Sequence, residues 1–178
     1  MYALRNRGVI DSGYRFGSTS GWFGKRFVGY FSDDVSWFNT ATLQGQTNTT
    51  TQILNFSSSA DDYSWMWVGT FKATSTGTWT FYTSSDDASY LWVGDNAISG
   101  FTTGNAIVDN GGLHGVQERS GTISLTANVY YPIRVMFGER GGGDIITVQY
   151  AGPSVSKTAD GSGRYFDGVY AWDEWVGR

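Results

Sequence analysis

Between Ser64 and Val93 the chain spends most of its residues in three aromatic-rich runs: Ser64–Ala73, Thr78–Thr83 and Tyr90–Val93. Only short polar stretches separate them, the first being Thr74–Gly77. In the second run Trp79, Phe81 and Thr83 fall on one face, the period-two pattern of a half-buried strand. Further along, Thr122–Thr126 alternates cleanly, Ile133, Val135 and Phe137 alternate with Arg134 and Met136, and Ile146, Val148 and Tyr150 alternate with Thr147 and Gln149. Residues Gln52–Phe56 make another short candidate. Strands this short and close leave no room for helical crossovers, so the expected class is all-β, an antiparallel β-sandwich.

Composition supports that reading. Aromatic residues are 17% of 178, and only 16% of residues are charged. The aromatics supply burial that a disordered chain lacks. Of the 16 acidic residues all but Glu118, Glu139 and Glu174 are Asp, which favours turns and hard-cation sites over helix interiors. A net charge of −4 argues against a nucleic-acid partner, which needs a basic face. The cluster Arg5, Arg7, Arg15, Lys25 and Arg26 reads as a solvated local patch. No apolar run is long enough for a membrane-spanning helix. With no cysteine and the single His114, disulfide frameworks, thiol catalysis and a polyhistidine metal centre are excluded.

Three parts of the chain exceed a minimal sandwich. The expected division is an N-terminal extension at 1–26, a sandwich domain at 27–152 and an aromatic tail at 153–178. The tail carries Tyr165, Phe166, Tyr170, Trp172 and Trp175, which either fold back on the sandwich or dock on a partner. Residues 94–121 are a long Gly/Asn-rich excursion whose apolar members, Ile98, Phe101, Ile107, Val108 and Leu113, predict an ordered, packed loop.

Adjacent Asp residues occur three times. Neighbouring carboxylates repel unless a cation or hydrogen-bond donors lie between them. Asp33-Asp34 and Asp61-Asp62 read as exposed turns. Asp86-Asp87 differs, because Thr83–Ser89 reads as a short polar connection between strongly apolar strands. It would present both carboxylates at one rigid edge, where a hard cation seeking six to eight oxygens could sit. A second loop, Gly138–Asp144, offers Glu139 and Asp144 as carboxylates and three glycines that free the backbone to turn carbonyls inward. Its glycines do not make a phosphate loop, which requires a following Lys-Ser/Thr and a helix. Trp79 and Trp92 read as core. Trp22 and Trp37 are weaker candidates for sugar stacking, and Arg134 should snorkel or pair with an Asp.

The runs Trp67–Phe71 and Gly77–Asp95 resemble the protective-antigen-type lectin domain, whose superfamily includes the flocculin and epithelial-adhesin (GLEYA-type) domains. Gly112–Gly115, Ser120–Leu125 and Tyr130–Val135 continue the pattern in order, so the likeness covers roughly residues 27–152. The chain is also similar to stand-alone copies in structural proteins of tailed phages, especially cyanophages. The resemblance implies a sandwich holding Ca²⁺ between two loops. The paired Asp, joined by a cis peptide, would be Asp86 and Asp87. The second loop would give Glu139, with Gly141 and Gly143 as carbonyl donors. An Asn usually stands where Glu139 does, so the site here is more acidic. The same Asp carboxylates would grip sugar hydroxyls, with His114 and Arg140 as further sugar contacts. His114 is read first as loop packing.

The leading expectation is thus a non-catalytic, calcium-dependent carbohydrate-binding module. Its partner would be a glycan of a host cell surface. Because Met1–Arg7 lacks the apolar core of a secretion signal, the expected setting is a virion surface, as a phage decoration or host-adhesion protein, with an extracellular or cell-surface setting as the alternative. Its termini would attach to a virion protein. One alternative is a structural protein of a homo-oligomeric virion lattice that binds no sugar. Another is a glycosidase, whose two carboxyls must stand ~5–9.5 Å apart across a cleft.

Overall fold

The computed structural model of the chain describes residues 21–49 and 55–167. Twelve strands occur in that span. They are β1 (Trp22–Val28), β2 (Leu43–Thr49), β3 (Asn55–Phe56), β4 (Tyr63–Lys72), β5 (Gly77–Asp86) and β6 (Ser89–Val93), then β7 (Val108–Asn110), β8 (Gln117–Leu125), β9 (Tyr130–Glu139), β10 (Ile145–Gly152), β11 (Val155–Thr158) and β12 (Tyr165–Asp167). One sheet has the order β2-β1-β4-β9-β6-β7, with β12 also on β4; the other has β11-β10-β5-β8, with β3 also on β10. All the recorded pairings are antiparallel. The class read from the sequence is therefore the class observed, an antiparallel sandwich.

The expected strands lie where the alternation put them, usually longer. The candidate at 52–56 is described only from Asn55 onward. β5 alternates as its sequence dictates: Trp79, Phe81, Thr83 and Ser85 point inward and are buried, while Thr78, Thr80, Tyr82 and Ser84 face outward. Across from it, Trp67, Phe71, Ile133, Val135 and Phe137 fill the core between the sheets, together with Ile146, Val148 and Tyr150. Trp79 packs edge-on to Phe71, their ring centroids 5.2 Å apart.

β4 and β9 do not alternate in burial, because they are covered on both faces. The outer face of the larger sheet carries a second apolar cluster of Phe27, Met66, Val68, Tyr90, Trp92 and Met136, roofed by Phe31 and Phe38 and by the segment around Ala97 and Phe101. This third layer accounts for the continuous apolar character of β4. It also accounts for Arg134, which neither snorkels nor reaches solvent. It is wholly buried, its Nε donating to the Ala97 carbonyl at 2.8 Å and its guanidinium lying 4.2 Å from the Phe101 ring centroid. Burial lowers its pKa to about 9. The excursion at 94–121 is ordered, with Val108 buried and Ile98, Phe101 and Ile107 packed against the cores, although Leu113 is exposed; it holds short 3₁₀ turns at Asp95–Ala97 and Thr103–Asn105, all of β7 and the start of β8.

The sandwich exceeds the expected 27–152 limits at both ends. Trp22 of β1 is fully buried and packs against Tyr165 of β12, their centroids 4.6 Å apart. Trp22 is thus core and no sugar platform. Tyr165 also meets Phe71 and Tyr150, so the first part of the aromatic tail folds back. The tail aromatics Tyr170, Trp172 and Trp175, and the basic Arg5, Arg7 and Arg15, lie outside the described residues. Among the described residues no helix is long and apolar enough to cross a membrane.

Tyr165 yields a paired prediction. Its ring is completely buried but, among the described residues, its hydroxyl has no hydrogen-bond partner. Tyr165→Ala should cost about 3–5 kcal/mol in urea unfolding, as for other large aromatic truncations. Tyr165→Phe should be neutral or stabilising, since it removes only an unsatisfied buried hydroxyl. An Ala variant as stable as wild type would show that the tail is not core.

Candidate functional site: an acidic centre clamped between two loops

β5 continues through Asp86 and β6 begins at Ser89, so the connection read from sequence as Thr83–Ser89 shrinks to Asp87 and Ala88. A cis peptide bond joins Asp86 and Asp87. β9, which pairs with β6 in the larger sheet, ends at Glu139 beside this turn. One carboxylate oxygen from each of Asp86, Asp87 and Glu139 lies within 4.8 Å of the others. Asp87 is 5% exposed and Glu139 0%.

Glu139 is the anomaly of the group. Among the described residues, neither of its carboxylate oxygens has a hydrogen-bond partner. The Gly141 amide leans toward it too loosely to make a proper bond, and only tempers the effect of burial and of Asp87. Those two influences raise its pKa from 4.5 to about 7. Asp86 is raised as well, first by burial and then by Asp87.

Asp87 accounts for the shape of the site. Its Oδ1 accepts from the His114 amide at 2.9 Å and its Oδ2 from the Arg140 amide at 3.0 Å. One carboxylate thereby holds the 111–116 loop on one side and the 140–144 loop on the other. The other two Asp pairs, read as mere turns, extend this arrangement. Asp33 accepts from the Gly112 amide at 3.2 and 3.0 Å through its two oxygens. Asp61 accepts from Gly142 N at 3.3 Å, and Asp62 lies 3.5 Å from the Arg140 guanidinium. Asp34 caps the 3₁₀ turn Val35–Asn39 through the Ser36 amide. Asp33 and Asp62 hold φ values of 60° and 54°, a region Asp tolerates better than most residues. They are turns with a task.

The floor beneath the Asp turn is polar although the strands that form it are not. Ser89 Oγ donates to Thr83 Oγ1 and shares a 2.7 Å bond with Ser85 Oγ. Asn110 Nδ2 donates to Ser85 Oγ and to the Gln117 carbonyl, while Gln117 Nε2 returns a bond to Asn110 Oδ1. The last pair staples the two ends of the 111–116 loop. Buried networks of this kind fix one geometry when every member is satisfied.

The remaining sequence candidates sort by distance and commitment. A Cβ placed on Gly143 would sit 3.4 Å from Asp86 Oδ2, so this residue borders the acidic centre, while Gly141 lies nearer Asp61. Asp144 does not offer a free carboxylate: Tyr63 donates to it at 2.6 Å and Ser58 N donates to its other oxygen. The His114 ring nitrogens face the carbonyls of Gly115 and Asn110 at 3.0 and 3.3 Å, so its polar atoms serve its own loop. Arg140 sits at the exposed rim. Trp37 packs against Phe27 and Phe38, away from the acidic centre. Sequence reasoning missed Asn110, Gln117 and the anchoring duty of Asp33, Asp61 and Asp62. The Asp pairs were visible as pairs, but nothing local announced which amides they would meet.

The fold and this geometry can be set beside known proteins. No curated protein sequence matches significantly. Among solved structures, an anti-sigma factor domain-containing protein is 20% identical with a TM-score of 0.67, over 83% of this chain and 48% of that one. The chain thus spans about half the length of that protein. The epithelial adhesin 9 A domain of Candida glabrata, solved with Galβ1-4GlcNAc, is 14% identical with a TM-score of 0.66, over 83% of this chain and 89% of the other. A PA14 sugar-binding domain from an RTX adhesin has a TM-score of 0.66 at 14% identity, over 84% of this chain and 99% of that domain. At these identities the likeness is one of fold. The sequence match is more direct, since the GLEYA domain model aligns with residues 63–151, from the start of β4 through the acidic centre to β10. The chain belongs to the GLEYA domain family.

Proposed function

We propose that the protein is a calcium-dependent carbohydrate-binding adhesion module, displayed on a surface such as that of a phage particle, and that Asp86, Asp87 and Glu139 hold the ion. The observation that carries this reading is the Glu139 carboxylate, fully buried with neither oxygen hydrogen-bonded and two more carboxylates within 4.8 Å. An isolated buried carboxylate is expensive unless paired or coordinated. An all-oxygen donor set suits a hard cation, and the carbonyls of the 140–144 loop, Gly143 foremost, can complete it. When bound, calcium supplies electrostatic attraction for vicinal sugar hydroxyls. The chain's own part is to hold three carboxylates in place, to accept hydrogen bonds from those hydroxyls on Asp86 and Asp87, and to wall the site with the 111–116 loop and Arg140. The adhesin domains of the same fold were solved with galactosides, which supports a sugar as the ligand class. Asp86 and Asp87 are neighbours joined by one peptide bond on a single turn, whereas a glycosidase sets two carboxyls facing each other across a cleft. That favours binding over hydrolysis.

Three outcomes test the reading. In EDTA the Glu139 carboxyl binds its proton more tightly folded, at about 7, than at its ordinary 4.5. Its contribution to stability is therefore complete below about 4.5 and lost as pH rises through about 7. The ion-free melting temperature should fall across that interval, and Glu139→Gln should flatten the fall; a wild-type profile without it would remove the buried-carboxylate argument. Calorimetric titration should show calcium binding that weakens about tenfold or more in Glu139→Gln, because ligand charge sets the affinity of such sites. On a glycan array, Asp86→Ala should lose the binding that wild type shows with calcium and lacks with EDTA. Full binding by Asp86→Ala in EDTA would sink the proposal.

A further inference from the structure

We infer that this site selects neutral glycans and discriminates against anionic ones, such as sialylated or sulfated sugars, because its charge is not cancelled by the ion it holds. The inference rests on the proposed function and narrows its ligand class. Three carboxylates share the centre, and one divalent ion leaves a residual charge of minus one. Glu139 makes this surplus real, since it is wholly buried and, among the described residues, neither of its oxygens has a hydrogen-bond partner.

The surroundings add to the surplus. Asp33 anchors the loop on one flank, and Asp61 and Asp62 anchor the loop on the other. Asp109 accepts from the Gly111 amide on the first flank, and Asp144 lies behind Glu139, close enough to raise its pKa. The nearby cationic side chains are engaged by other partners, His114 only tempering the rise in the Asp86 pKa. Arg140 gives Asp87 its main-chain amide, while its guanidinium is drawn to Asp62. The ring nitrogens of His114 are turned to the carbonyls of Gly115 and Asn110. A carboxylate or sulfate group brought beside the bound ion would thus meet a shell of like charge in a partly desolvated recess. There, charges interact more strongly than in water. Like-charge juxtaposition is an effective way to reject a wrong partner. A neutral sugar with vicinal hydroxyls meets no such opposition, and its hydroxyls can donate to the carboxylates.

The test is a glycan array carrying neutral oligosaccharides beside their sialylated and sulfated derivatives, read at one calcium concentration. Anionic forms whose added group lies on the contacted sugar should bind at least tenfold more weakly than their neutral parents. Replacing calcium by terbium(III) adds one positive charge at the same centre without changing the protein. Terbium luminescence reports its occupancy independently of any glycan. With terbium bound, the gap between neutral and anionic forms should narrow several-fold, and in Glu139→Gln with calcium it should narrow in the same direction. Anionic forms bound as tightly as their parents, or a gap indifferent to the charge of the ion, would overturn the inference while leaving calcium-dependent lectin activity standing. Calcium or terbium binding with no glycan retained at all would overturn the carbohydrate reading, and this inference with it.

Discussion

A single carboxylate organises the functional end of this molecule. Asp87 sits in the two-residue link between β5 and β6, and its two oxygens reach in opposite directions, to the amides of His114 and Arg140. Both amides belong to loops that cross from the larger sheet to the smaller, one from β7 to β8 and the other from β9 to β10. The bonds are charge-assisted, and therefore stronger than ordinary amide contacts. Asp87 thus ties together three crossings between the two sheets at the place where its own charge meets those of Asp86 and Glu139. Anchoring and ion attraction are served by the same atoms.

The platform for that clamp is stiff for reasons far from it. β4 and β9 are packed on both faces, one facing the sandwich core and the other the layer built from Phe31, Phe38, Trp92 and Phe101. Glu139 is the last residue of β9, opposite Tyr63 at the start of β4. Tyr63 in turn donates to Asp144, the residue that closes the loop after Glu139. Gly138 permits the close approach of the aromatic roof, since a Cβ there would lie 2.5 Å from the Phe31 ring. The buried carboxylate is therefore delivered by a strand that has little freedom to withdraw it.

How much of this was legible in the sequence follows from how local each signal is. The alternation of Trp79, Phe81 and Thr83 states its own conformation, and β5 obeyed it. β4 gave no alternation because both its faces are buried, so its apolar run identified a strand but not the second core above it. The snorkelling expected of Arg134 failed for the same reason: in a two-layer sandwich its face would be wet, whereas here Phe101 covers it. Trp22 and Tyr165 fell outside the expected boundaries because their partner is each other, across more than a hundred residues of chain. The Asp86, Asp87 and Glu139 grouping could be suspected from motif order. The absence of hydrogen bonds to Glu139, on which the functional reading turns, is a three-dimensional property with no trace in the residue string. Asn110 and Gln117 illustrate the same limit, since each looks like ordinary loop polarity until they are seen stapled together.

The anchors of the two loops share a chemical habit. Asp33, Asp61 and Asp87 hold Gly112, Gly142, His114 and Arg140 through main-chain N–H groups, not through their side chains. Any residue but proline can present such an N–H. The loops can therefore exchange exposed side chains, such as those of Leu113, Val116 and Arg140, while keeping their backbone course. Such a division of labour separates inheritance of shape from inheritance of taste: one scaffold can be carried through many recognition surfaces by changing residues that the fold never asked for.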